Sequence, residues 1–157
     1  MKFNEANEKK FRELVDRYPS KEALLLPSLY LVQEQEGYVP EESFEYLAER
    51  LGVSSVRVRE TAEFYTMYNK EPVGKYHIQL CNNISCYLRE SEALLVYLTE
   101  KLGIGIGETT KDGRFTLSTV ECLGACGGAP VVQINDDYHE FMTKEKLEKV
   151  LLSLRGA

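Results

Sequence analysis

Apolar residues recur at helical spacing through the first 68 residues of the chain. The first stripe has positions i, i+3, i+4 and i+7, which share one face of a helix, and comprises Phe11, Leu14, Val15 and Tyr18. Proline, glycine and serine punctuate the later stretches, so the pattern predicts four helices in all. They cover residues 11–18, 24–36 with a kink at Pro27, 40–51 with Pro40 in the first turn, and 55–64 with Ser54 as cap and Val56, Val58 and Ala62 as apolar positions. Gly37 and Gly52 are the expected C-caps.

The apolar period changes to two after Lys75. Alternation of apolar and polar residues is typical of half-buried strands. The strands are predicted over residues 76–81, 115–119, 131–134 and 138–141. The last two flank the turn Asn135-Asp136-Asp137 and so predict a hairpin.

Two helical stripes accompany these strands, one over residues 94–102 before Gly103 and one over residues 147–154 with Thr143 as cap. This order predicts a small sheet covered by helices. The whole chain is therefore expected to mix α and β structure (α+β or α/β), with a helical bundle over residues 1–70 and a second domain over 71–157. Breaks at Pro72 and Gly74 suggest the boundary.

Composition narrows the function classes. The chain has 157 residues, 43% of them hydrophobic and 28% charged, with a net charge of −6. This acidity argues against broad binding of nucleic acid or anionic membranes, because both need a basic face. No apolar run approaches the length that spans a bilayer, and the polar N-terminus lacks the apolar stretch of a secretory signal. A cytoplasmic location is expected, where paired cysteines bind metal more often than they form disulfides.

The four cysteines form two pairs, Cys81-x4-Cys86 and Cys122-x3-Cys126, separated by 35 residues. Each pair lies where a predicted strand ends, so the two loops can meet and offer four thiolates to a metal. An anionic cluster in such a cage needs backbone N–H donors, and the N-terminus of the helix after Cys86 is one source. The other expected contributors are loop residues with unusual backbone freedom, namely Asn82, Asn83, Gly124, Gly127 and Gly128.

Spacing alone leaves the metal open. Such pairs also build structural zinc sites, which would make the chain a zinc-stabilised interaction module. Disulfides or four ordinary buried thiols are weaker alternatives, and the glycine-rich second loop favours an iron–sulfur cluster. A thioredoxin-type dithiol enzyme is disfavoured because no Cys-x-x-Cys is present. His77 and His139 lie on predicted strands and are not expected to be ligands.

A DNA-binding module is the rival from another class. Residues 46–58 have the apolar spacing and turn glycine of a helix-turn-helix. However, the second helix carries Glu60 and Glu63 beside Arg57 and Arg59, and the chain is acidic. Two packed helices around a glycine turn give the same pattern for structural reasons, so no nucleic-acid partner is expected.

The sequence resembles the thioredoxin-like [2Fe–2S] subunit of NADH:quinone oxidoreductase, respiratory complex I. The likeness keeps its order along nearly the whole chain. Its segments are QEQEGYVP (33–40), EFYTMY (63–68), PVGKY (72–76), CNNISC (81–86), ECLGACGGAP (121–130) and INDDY (134–138). The cysteine motifs are the most specific of these segments.

The resemblance implies a helical bundle joined to a thioredoxin-like [2Fe–2S] ferredoxin domain. It implies that the cluster ligands are Cys81, Cys86, Cys122 and Cys126. It also implies a partner subunit that binds NADH and FMN, further subunits of the same module, and a place peripheral to the inner membrane without insertion of this chain. Residues 82–85 depart from the threonines and proline of many relatives, and related subunits also serve NAD-linked hydrogenases and formate dehydrogenases.

Overall fold

The first 72 residues form one compact unit of four helices. The computed structural model describes residues 1–155. The helices are α1 (Glu5–Arg17), α2 (Leu25–Glu36), α3 (Glu42–Leu51) and α4 (Ser55–Phe64), and a 3-10 turn (Glu22–Leu24) precedes α2. Asn4 caps α1 and Ser54 caps α4, each through a side-chain oxygen that accepts a backbone N–H of the first turn.

One apolar core holds these four helices together. Its most deeply buried side chains come from α2, α3 and α4 and include Leu29, Val32, Leu47, Val58 and Ala62. The predicted C-caps are confirmed, because Gly37 and Gly52 end α2 and α3 at φ values of 82° and 69°. These left-handed conformations suit glycine, which has no Cβ to clash with the backbone.

Two details of the predicted helices are wrong. Pro27 lies in the first turn of α2, where a missing N–H breaks no bond within the helix, so the helix begins there rather than kinks. Pro40 precedes α3 by two residues instead of lying inside it. Val56 and Val58 are two residues apart and therefore lie on opposite sides of α4, so Val58 is buried while Val56 is 62% exposed.

The second unit begins at Val73 and combines helices with a sheet. Its strands are β1 (Tyr76–Cys81), β2 (Phe115–Val120), β3 (Val132–Ile134) and β4 (Asp137–His139). Its helices are α5 (Ile84–Leu88), α6 (Ser91–Leu102) and α7 (Lys144–Arg155), and a 3-10 turn covers Cys126–Gly128. Gly103 ends α6 and Thr143 accepts the N–H of Lys146 at 3.3 Å, as predicted for both caps.

The sheet has the order β2-β1-β3-β4, with β1 and β2 parallel and the other neighbours antiparallel. The parallel pair requires a crossover connection, and α5 and α6 lie in it along the chain. Side chains of the sheet pack with those of α6 and α7 in a second core. Fully buried members of this core include Ile78, Leu98, Leu117, Val132 and Leu147.

The predicted hairpin is confirmed with a shorter turn. Ile134 pairs with Asp137, so only Asn135 and Asp136 connect β3 to β4. Asn135 has a φ of 53°, a conformation that asparagine tolerates better than most residues. Within residues 1–155, no helix is both long and apolar enough to cross a membrane.

Tyr68 generates a stability prediction for the helical unit. Its side chain is 1% exposed and its hydroxyl donates to the Leu26 carbonyl at 2.9 Å. We expect Tyr68→Phe to lower the free energy of unfolding at pH 7 by about 1 kcal/mol, because the carbonyl loses its donor. Urea unfolding measures this change, and Tyr30→Phe, whose residue is 48% exposed, is the matched control.

The same tyrosine predicts an alkaline pH dependence. Burial raises the pKa of Tyr68 well above its ordinary value of 10.0. Above pH 10 the unfolded chain loses the phenolic proton while the folded chain retains it, so folding becomes progressively less favourable. The stability difference between wild type and Tyr68→Phe should therefore shrink as the pH rises above 10. A constant difference up to pH 11 would contradict this account.

Candidate metal centre

The four cysteines lie at or near strand ends on one side of the sheet, where β1 and β2 end and β3 begins. Cys81 is the last residue of β1 and pairs in register with Val120, the last residue of β2. Cys122 follows β2 by two residues, and Cys126 opens the 3-10 turn that precedes β3. Because β1 is bonded to both β2 and β3, its end brings the two cysteine loops together.

The main chain fixes this convergence at the strand ends. The Asn82 N–H donates to the Val120 carbonyl at 3.1 Å, which extends the β1–β2 pairing past Cys81. On the other side, the Cys81 N–H donates to the Val131 carbonyl at 3.2 Å. The loop before β3 is thus held against the same residue that begins the first cysteine loop.

The two cysteine pairs differ in burial. Cys81 and Cys86 are 3% and 2% exposed and pack with Ala129 and Val131 in a small apolar cluster. Cys122 and Cys126 are exposed, and all four cysteines are free of disulfides. The Cys86 thiol interacts electrostatically with those of Cys81 and Cys126. In residues 1–155, no three Cys, His, Asp or Glu side chains converge as the ligands of a single metal ion do.

Backbone N–H groups address two of the sulfurs. The Gly124 N–H lies 3.3 Å from Cys122 Sγ, and the Val131 N–H is bonded to Cys86. Such donors stabilise negative charge on thiolate sulfur. Val131 could not be found from the sequence, because an apolar strand residue gives no sign that its main chain serves a site.

Burial raises the pKa of the Cys86 thiol. The Val131 N–H opposes this shift, whereas the neighbouring Cys81 and Cys126 thiols reinforce it. The neutral thiol is therefore favoured when no metal is bound. If Cys86 binds a metal, the metal has to displace this proton, so metal affinity would depend on pH.

The expected helix N-terminus after Cys86 is absent from its predicted place. Cys86 lies inside α5, and a break at Glu90, with a φ of 65°, separates α5 from α6. The N–H of Ile84 at the start of α5 is already bonded to Asn83 Oδ1 at 2.8 Å. The donors come instead from the loop of Gly124 and from Val131.

In the second cysteine loop, Gly124 and Gly128 are required by the structure for two different reasons. Gly124 has a φ of 71° and so uses the left-handed region, whereas Gly127 and Gly128 do not. A Cβ on Gly128 would stand 2.7 Å from the Cβ of Glu140 and would also meet its carboxyl group. Gly128 is thus required by the close approach of the segment that leaves β4.

The two asparagines and two histidines discussed from the sequence also have defined positions in the structure. Asn82 and Asn83 do not adopt a positive φ, so their expected role as tolerant turn residues is wrong. Both histidines lie on strands, as predicted. His77 Nε2 is 2.7 Å from Ser118 Oγ, and burial lowers the pKa of this imidazole.

The donor set fits an iron–sulfur group chemically. Four thiolates in two pairs are the ligands of a [2Fe–2S] cluster, and the bonds from Gly124 and Val131 are the kind that stabilise such sulfurs. Fold and site together define the class: a helical unit followed by an α/β unit with a candidate thiolate-bound metal centre.

The chain belongs to the thioredoxin-like [2Fe–2S] ferredoxin family, whose model matches residues 11–155. It is 50% identical over 141 residues to the E 2 subunit of the NADH-quinone oxidoreductase of Rhizobium meliloti (strain 1021), covering 90% of this chain and 84% of that protein. It is 45% identical over 157 residues to the E subunit of the NADH-quinone oxidoreductase of Rickettsia conorii (strain ATCC VR-613 / Malish 7), covering 98% and 94%.

A solved structure also shares the fold. It is an NAD+-reducing [NiFe]-hydrogenase in the air-oxidized state, with a TM-score of 0.72 and 19% identity. The match covers 85% of this chain but only 23% of the hydrogenase chain. The family assignment and this likeness confirm the expected fold class, and the family confirms the expected [2Fe–2S] cofactor.

Two glycines of the second loop offer a matched test of the site. Gly124→Ala should lower the free energy of unfolding by about 1–2 kcal/mol, because alanine is strained at positive φ. Gly127→Ala should have little effect, since a Cβ there meets nothing within 4 Å. Urea unfolding of both variants measures the difference. Equal losses would contradict the assigned roles.

Proposed function

We propose that this chain is a one-electron carrier subunit of an NADH:quinone oxidoreductase. The observation that carries the proposal is the convergence of the two cysteine loops at the end of β1. Its cluster ligands would be Cys81, Cys86, Cys122 and Cys126. Support for the parent complex comes from the NADH-quinone oxidoreductase relatives, which are 45–50% identical over most of the chain.

The work of this chain is to hold and shield the electron carrier. A bound [2Fe–2S] cluster supplies reversible one-electron chemistry, and plant-type ferredoxins do so near roughly −400 mV. Cys81 and Cys86 would hold it from buried, apolar surroundings, and Cys122 and Cys126 would hold it from the exposed loop. The N–H groups of Gly124 and Val131 would stabilise negative charge on the Cys122 and Cys86 sulfurs. The chain itself makes or breaks no bond in a substrate.

The proposed partners follow from this role. A carrier with no substrate chemistry needs a neighbour that oxidises NADH, and a flavin-bearing subunit with FMN suits the change from a hydride to single electrons. Other subunits of the same module would accompany it. We further propose a cytoplasmic location, peripheral to the inner membrane through the parent complex.

A related complex is the second candidate. The hydrogenase likeness is consistent with an equivalent subunit of an NAD-linked hydrogenase, and a formate dehydrogenase would use the same carrier. At 19% identity that likeness supports the fold alone. Isolation of the native complex through this chain, followed by assays with NADH and quinone, hydrogen or formate, distinguishes these parents.

Cluster content tests the proposed function directly. The full chain, expressed anaerobically with iron supplied, should be red-brown with two irons and two sulfides per chain. After reduction with dithionite it should give an S = 1/2 signal in electron paramagnetic resonance (EPR). Colourless protein with stoichiometric zinc would instead support a structural module.

Serine variants test the ligand set. Cys122→Ser and Cys126→Ser should each lose most of the cluster, because a hydroxyl is a poor ligand for iron compared with a thiolate. Ser85→Ala, in α5 between the two cysteines of the other pair, is the matched control and should keep normal iron and sulfide. Normal cluster content in both cysteine variants would refute the assignment of these ligands.

A further inference from the structure

We propose that Asn83 is a positioning residue that ties the two cysteine loops together and sets the separation of their thiolate pairs. The inference rests on the ligand set of the proposed function. It concerns a side chain that holds the ligands in place without itself binding iron.

The geometry joins two segments that are 38 residues apart in the chain. Asn83 Nδ2 donates to the Glu121 carbonyl at 2.8 Å, and Asn83 Oδ1 accepts the Ile84 N–H, also at 2.8 Å. Glu121 immediately precedes Cys122, and Ile84 opens the short helix α5 that carries Cys86. The Asn83 carboxamide therefore links the residue before Cys122 to the first residue of the helix that carries Cys86.

The chemistry of these contacts requires an amide. The Glu121 carbonyl needs a donor and the Ile84 N–H needs an acceptor, so only one orientation of the Asn83 side chain satisfies both. A carboxylate at this position could accept from Ile84 but would face the carbonyl with a second acceptor. A serine hydroxyl could cap α5 but is too short to bridge both partners.

The main-chain hydrogen bonds between the two cysteine loops lie at the strand ends, and the Asn83 side chain adds a link farther along the first loop. The Asn82 and Cys81 N–H groups fix the strand ends through Val120 and Val131. Beyond these bonds the first loop turns into α5, whose residue Cys86 lies five positions past the end of β1. The bond from Asn83 to Glu121 holds this outer part of the loop, where Cys86 and Cys122 are supported.

Three variants distinguish the hydrogen bond from Asn83 to Glu121, which ties the two loops, from the bond with the Ile84 N–H, which caps α5. Asn83→Ser and Asn83→Asp keep an oxygen for the Ile84 N–H but lose the donor to Glu121, whereas Asn83→Ala loses both. Asn82→Ser, at the exposed neighbouring position, is the matched control. Asn83→Ser carries the test because it adds no charge; Asn83→Asp would also lower the reduction potential through its negative charge.

The readouts are the half-time of bleaching of the visible absorption with EDTA and the line width of the reduced EPR signal. We expect Asn83→Ser to bleach roughly fivefold faster than wild type, the factor that corresponds to one net hydrogen bond. Its EPR lines should broaden as the sulfur positions become less uniform. Asn82→Ser should match wild type in both. If Asn83→Ser and Asn83→Asp bleach at the wild-type rate and only Asn83→Ala is faster, Asn83 is merely a helix cap and the proposal is overturned.

A second measurement is independent of the cluster. Amide hydrogen exchange of residues 121–126 in the metal-free full chain should be faster in Asn83→Ser than in Asn82→Ser, because the second loop loses its attachment. Equal exchange would overturn the tie. Wild-type protein without iron would refute the proposed function while leaving this exchange comparison decisive for Asn83.

Discussion

The pairing of β1 with its two neighbours is the constraint on which the site depends. Cys81 stands beside Val120 in the parallel pair, and Leu80 stands beside Val132 in the antiparallel pair. The ends of β1 and β2 and the beginning of β3 therefore meet at one edge. A slip of one residue would reverse the faces of a strand, so the register that builds the core also aligns the cysteine loops.

The electrostatics of the site depend mainly on backbone groups. Burial favours the neutral Cys86 thiol, and the group that opposes this is the N–H of Val131, which nearly any residue type would provide. Gly124 contributes its N–H to Cys122 while holding a positive φ. The residue type at a position of the site thus matters most where the backbone needs a particular conformation or where the side chain supplies a ligand atom.

Strongly periodic elements could be predicted from the sequence, and the local details around the cysteines could not. The strand β1, the hairpin and α6 follow from alternation, turn residues and a Leu-rich stripe. The division of α5 from α6 at Glu90 escaped, because a glutamate gives no local signal for a φ of 65°. The role of Asn83 also escaped, since its partner Glu121 is distant in sequence and bonds through a carbonyl group.

Because the two cysteine pairs differ in burial, the thiols of the metal-free chain should react with oxidants in a defined order. Reagents dissolved in water meet Cys122 and Cys126 first, because thiol reactivity requires access. Cys81 and Cys86 react only when the sheet edge opens locally. Oxidative damage to the metal-free chain is therefore expected to start on the glycine-rich loop, and under the proposed ligand assignment cofactor loading would protect the cysteines that are most accessible.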